Sequence, residues 1–110
     1  MDQAAFNELC SQLDKICENI VYYKRPEYTE RSGDVLLNFK KTAEECGLTP
    51  YQVLYVFMRK HWASIAQFCK DPNYKQSEDI SMRIADSINY HKLLYGLIIE
   101  LTQPSRPKSQ

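Results

Sequence analysis

The stretch "GLTPYQ", residues 47–52, restricts the fold of this chain more than any other. Glycine accepts the left-handed conformation in which helices end, so Gly47 marks a stop. Thr49 can cap a following helix, Pro50 suits the first helical position, and Gln52 can bond back to the residue-49 amide. One helix must end and another begin within three residues. This corner dictates a helical hairpin, and the apolar spacing on both sides of it agrees.

That spacing predicts four helices. The first covers about 3–23, with Phe6, Leu9, Cys10, Leu13, Ile16, Cys17, Ile20 and Val21 at three- and four-residue intervals. "YKRPEYTERSGD" follows, punctuated by Pro26 and Gly33, and reads as a long connection of a kind uncommon in small domains. The second helix, 34–46, turns Val35, Leu36, Phe39, Ala43 and Cys46 inward. The third runs from the Thr49 cap to about Lys70, where "DPNYKQSED" breaks the chain. The fourth is capped by Ser77 or Asp79, with Glu78 and Asp79 complementing its dipole. It runs to about Thr102 with Ile80, Ile84, Ile88, His91, Leu94, Tyr95, Ile98 and Leu101 as its apolar stripe. Strand alternation and Asn-Gly or Asp-Gly hairpin signals are absent. The expected fold is therefore all-α: one small four-helix bundle-like domain over 1–102. Residues 103–110, which lack an apolar anchor, form a disordered flexible tail.

Charge narrows the partners. Lys plus Arg balances Asp plus Glu at 14 against 14, so no general field gathers nucleic acid or an anionic membrane. The apolar runs fall short of the roughly 20 residues that span a bilayer, and "MDQAAFNELC" lacks the design of a signal peptide. These features predict a cytoplasmic protein. The cysteines at 10, 17, 46 and 69 form no CxxC pair, and His61 and His91 are not spaced as zinc-finger ligands. Cys10 and Cys17 lie about 10 Å apart along one helix and cannot bridge. All four are expected to be reduced core thiols.

The candidate site residues come from polar positions on buried faces. His61 stands three after Met58, seven after Leu54 and four before Ile65, which places it on an apolar face, with Lys60 about 100° round at its edge. On the fourth helix Asp79, Arg83, Asp86 and Tyr90, spaced four, three and four, form a polar stripe flanked by Asn89. Helical spacing lets Arg83 reach both Asp79 and Asp86. The stripe is either a solvated row of ion pairs or one side of a crevice facing Lys60 and His61. Among the aromatics, Tyr22, Tyr23, Arg25, Tyr28 and Arg31 supply the residue types favoured at protein-binding hot spots, and Trp62 is boundary packing or part of such a patch. The remaining tyrosines are expected at the core edge, with hydrogen-bonded hydroxyls.

"NFK" (38–40), "GLTPYQV" (47–53), "KHWASI" (60–65) and "SEDISMRIADSINYHKLL" (77–94) occur in an order that resembles small helical bacteriophage proteins of the nucleotide-modification-associated type. These are similar to the all-α nucleoside triphosphate pyrophosphohydrolases of the MazG and dUTPase type. The resemblance covers about residues 20–100, and the Lys-His pair and the Asp-x-x-Asn-Tyr ending are its most specific parts. It implies a helix pair carrying ExxE and ExxD, whose carboxylates hold Mg²⁺. Asp86 matches the final Asp. The residue three before it is Arg83 rather than Glu, Met82 is no ligand, and the nearest earlier acids, Glu44 and Glu45, point about 100° apart.

Too few carboxylates remain for metal-assisted turnover, and no GxSxG, P-loop or HExxH motif is present. Two expectations follow. The first is a phage-type binding protein without catalytic residues or cofactor, acting as an inhibitor on a host or defence protein through Tyr22, Tyr23, Arg25, Tyr28 and Arg31. The alternative is a nucleotide- or phosphate-binding domain built on Lys60, His61, Arg83, Asp86 and Asn89, with Mg²⁺ at Glu78, Asp79 and Asp86. An exposed aromatic face would also allow a homodimer.

Overall fold

Local signals place the helix ends. In the computed structural model, the backbone is described for residues 1–28, 33–76 and 78–103, and the side chains for the same stretches apart from 21–28. These residues form four helices and no strand: α1 (Gln3–Tyr28), α2 (Leu37–Cys46), α3 (Pro50–Lys70) and α4 (Ile80–Thr102). Gly47 ends α2 in the left-handed region at φ 68°, and its N–H turns back to the Ala43 and Glu44 carbonyls. The Thr49 hydroxyl accepts from the Gln52 N–H at 3.2 Å, and the Gln52 side chain accepts from the Thr49 N–H at 2.9 Å. Both halves of the capping box are therefore formed, with Pro50 in the first turn. Asp79 caps α4 by accepting from the Ser81 N–H at 2.8 Å, which holds its carboxyl below the usual range. Glu78 and Asp79 thus precede the first turn of α4 rather than occupying it. Ser77, the other expected cap, and the tail 104–110 lie outside the described residues.

Two boundaries differ from expectation. α1 continues through Pro26 to Tyr28 instead of stopping near 23. Proline's fixed φ is itself helical, and its missing N–H costs one bond in the last turn rather than a helix. α2 begins at Leu37 instead of 34 because Asp34 makes a turn of its own. Its side chain accepts from the Leu36 N–H at 2.9 Å, and its carbonyl accepts from the Leu37 N–H at 3.2 Å.

α4 is the spine. α3 packs along it as an antiparallel partner, α1 lies on another side, and α2 folds back on α3. The core forms where α2, α3 and α4 meet, from Leu36, Phe39, Ala43, Val53, Leu54 and Leu97. Phe57 stacks on Tyr90 at 6.1 Å, and Phe39 meets both rings edge-on at 5.8 and 6.3 Å. Above this cluster Lys40 joins Asp34 and Glu100, each at 2.9 Å. Burial works against the Lys40 charge, but hydrogen bonds to the two carboxylates prevail and raise its pKa.

α1 is tied to α4 around Cys17. The Asn89 amide donates to the Cys17 carbonyl at 3.0 Å, and the Cys17 thiol reaches the Ala85 carbonyl at 3.8 Å. Cys17 is fully buried, whereas every residue from 1 to 12 is exposed. Of the four cysteines only Cys17 is a core thiol. Cys10, Cys46 and Cys69 are exposed, so the expectation of four buried thiols is corrected. Burial raises the Cys17 pKa. None of the four is in a disulfide.

The largest correction concerns the face of α4. Five of the eight residues of the expected apolar stripe, Ile84, His91, Tyr95, Ile98 and Leu101, are exposed, while Ile80, Ile88 and Leu94 are partly buried. The buried positions are Ala85, Asp86, Asn89 and Leu97. Tyr90, Leu93 and Leu94 complete that inner face. The polar stripe, not the apolar one, faces the bundle. No described helix is long and apolar enough to cross a membrane.

Candidate functional site

Turning Asp86 and Asn89 inward creates the site. α1 and the α2–α3 hairpin stand on different sides of α4, and a cavity of about 500 Å³ opens between them. Lys60 and His61 of α3 and Arg83, Asp86 and Asn89 of α4 all line it, with Glu78 at the rim. All five residues expected of a polar crevice therefore share one wall system. Phe39, Phe57 and Tyr90 continue the wall as an aromatic surface, and Ile20 of α1 contributes from the other side.

His61 and Asp86 meet loosely. His61 Nδ1 lies 3.9 Å from Asp86 Oδ2, beyond hydrogen-bond range, although both side chains are only 10–13% exposed. Arg83 Nε lies 3.7 Å from Glu78 Oε2. The His61 ring rests 5.0 Å from Tyr90, tilted by 34°. His61 Nδ1 and Asn89 Oδ1 are buried without a hydrogen-bond partner. Asn89, which lines the cavity, donates an amide N–H to the Cys17 carbonyl.

Electrostatics follow from this placement. Burial lowers the His61 pKa; Asp86 opposes that shift, and Arg83 and Lys60 reinforce it. His61 is thus a neutral imidazole near pH 7, with a carboxylate at one side and two cations nearby. Lys60 stays exposed at the mouth, where its ammonium keeps its water.

Chemically, the crevice combines a guanidinium, an ammonium and an imidazole with an acceptor pair, Asp86 and Asn89, above a face of aromatic rings. Such a set can hold an anionic group at one end and a planar ring bearing N–H donors at the other. It does not assemble a metal centre. Among the described residues no three His, Cys, Asp or Glu side chains come together as cation ligands. Glu78, Asp79 and Asp86 therefore do not converge, and the Asp79 carboxylate is already engaged as a helix cap.

The structure treats the other expected residues differently. Tyr22, Tyr23, Arg25 and Tyr28 belong to the last turns of α1 rather than to a loop, and their side chains, with all of Arg31, lie outside the described residues. Trp62 points outward at 61% exposure, so it is a surface residue and not boundary packing. Tyr51, Tyr55, Tyr74 and Tyr95 are likewise exposed, while Tyr90 takes the core-edge position expected of tyrosine.

Sequence reasoning missed the aromatic floor. Phe39 and Phe57 read simply as core, and they are core on one side and cavity wall on the other. Gln76 was also missed: its amide donates to the Ser64 carbonyl at 2.8 Å and ties the α3–α4 connection to α3. No periodic signal marks a residue between helices.

Comparison with protein-family models, with curated proteins and with solved structures finds no match to this chain.

Proposed function

We propose that this chain is a binding domain without turnover, whose crevice between α1, α3 and α4 takes a small ligand of nucleotide-like chemistry. Such a ligand carries an anionic group for Arg83, Lys60 and His61. Its planar ring lies along Tyr90 and Phe57, with its N–H groups toward Asp86 and Asn89. One observation carries the reading: two polar atoms of the crevice, His61 Nδ1 and Asn89 Oδ1, are buried with no hydrogen-bond partner among the described residues. A structural ion-pair lock would bring His61 and Asp86 within hydrogen-bond distance, and they stand 3.9 Å apart. Buried polar atoms left open, such as His61 Nδ1 and Asn89 Oδ1, are costly unless something else fills them.

The test is a thermal melt of the full chain against a panel of nucleotides and inorganic phosphates, with and without Mg²⁺. A ligand at a hundred times its Kd adds about 2.7 kcal/mol, which raises the Tm of a domain this size by roughly 10 °C. The shift is expected without metal. It is also expected to vanish in Asp86→Asn, whose unliganded stability stays within about 1 kcal/mol of the parent. A flat panel overturns the reading.

A second reading keeps the expected protein partner. It draws on Tyr51, Tyr55 and Trp62, which lie exposed along one outer line of α3 beside Arg59. Pull-down with Trp62→Ala as control would separate it from the first.

A further inference from the structure

Asp86 differs from the other aspartates of the described residues. Asp2, Asp34, Asp71 and Asp79 each accept a hydrogen bond from a backbone N–H, and Asp14 is exposed to water. Asp86 is only 8% exposed, and among the described residues no hydrogen-bond donor reaches its carboxylate. The His61 ring stops 3.9 Å away. A buried carboxylate without donors is costly, more so than a neutral group. An ionised carboxylate also presents two acceptors side by side, which suits a fork of two parallel N–H groups.

We propose that Asp86 reads the base of the ligand, and that this base is guanine. The inference rests on the nucleotide-binding reading above and adds its selectivity. On its pairing edge guanine sets the N1–H beside the N2 amino group, two donors in parallel. Adenine and cytosine set an amino group beside a ring nitrogen that accepts, and uracil sets its single N–H between two carbonyls. Each of these brings an acceptor against the carboxylate. A ligand guanidinium offers the same fork as guanine, but its positive charge would lie near Arg83 and Lys60, which line the same crevice. Asp86 precedes Tyr90 by four residues on one face of α4, so a ring lying along Tyr90 brings its edge to the carboxylate. The cavity of about 500 Å³ is of the size that takes a nucleoside monophosphate.

Equilibrium dialysis of the full chain against GMP, IMP, AMP and UMP tests the assignment. IMP keeps the N1–H and lacks the N2 amino group, so one bond to the carboxylate is lost. GMP is expected to bind roughly ten- to a hundredfold more tightly than IMP, with AMP and UMP weaker still. In Asp86→Asn the carboxamide offers one donor and one acceptor. That pair matches xanthine, whose N1–H lies beside a C2 carbonyl. The variant is expected to lose GMP and to bind XMP more tightly than the parent does. Equal binding of GMP and IMP, preference for AMP or UMP, or selectivity for GMP that survives in Asp86→Asn would each overturn the guanine assignment and leave the crevice reading standing. Binding of none of the four nucleotides, or of methylguanidine alone, would overturn both.

Discussion

The same two helices, α3 and α4, behave differently at their two ends. At the end shared with α2, Leu54 and Leu97 are fully buried, Phe39 and Phe57 interlock, and Lys40 fastens Asp34 to Glu100. Every strong group there has a partner. At the other end, His61 and Asp86 are almost as deeply placed but stop short of bonding, and the buried Asn89 Oδ1 has no hydrogen-bond partner. Packing alone explains the first end. The second stays polar at a cost in desolvation, which the proposed ligand would offset.

Three measurements sharpen the contrast. The largest effect belongs to the closed end: Leu54→Ala is expected to destabilise by about 3 kcal/mol in denaturant unfolding, through lost transfer energy and the cavity left behind. A loss below about 1 kcal/mol would mean that this end is not the close-packed one. Next, Lys40→Met is expected to cost about 1 kcal/mol, because its two ion pairs are partly exposed and partly screened. High salt should shrink that difference.

The smallest effect is a pH dependence that separates the two ends. His61 is held neutral in the fold, so the unfolded chain binds its proton first. Its contribution is fully present above the ordinary imidazole value of 6.5 and is lost as pH falls through it. Asp34 has its pKa lowered: burial alone would raise it, but the bonds from Lys40 and the Leu36 N–H prevail. Its contribution is present above the ordinary value of 3.8 and is lost only as pH falls through its lower folded value. Stability measured from pH 8 downward should therefore fall in two separate steps. His61→Gln should remove the first and Lys40→Met should reduce the second. A single step near pH 4 in the parent would show that His61 is solvated.

What was legible in the sequence follows the range of the forces involved. The Gly47 stop, the Thr49–Gln52 box and the Asp79 cap are settled within a few residues, and each stands as the sequence implied. For Lys60, His61, Arg83, Asp86 and Asn89 helical spacing gave the grouping within each helix, but whether the α4 stripe met α3 or water stayed open until the structure placed all five around one cavity. The face that α4 presents to the bundle was not legible. Periodicity reports that Ile84, Tyr95 and Ile98 share a side, but not whether that side meets α3 or water. Leu97, Leu93 and Tyr90 fit the Phe39–Phe57 cluster better, and tertiary packing outweighed the stronger stripe. The end of α1 was misplaced for the opposite reason. Pro26 is a strong local signal, and the rest of the helix overrode it.

The Asn89 amide has a consequence that reaches beyond its own wall. Its nitrogen holds the main chain of α1 at Cys17, and its buried oxygen, on a residue that lines the crevice, has no partner. A donor arriving at the oxygen polarises the whole amide and strengthens the bond on the nitrogen side. On the proposed reading, occupancy of the crevice and attachment of α1 favour each other in equal measure. That helix would then be a reporter: its exchange with solvent is expected to slow when the proposed ligand is present.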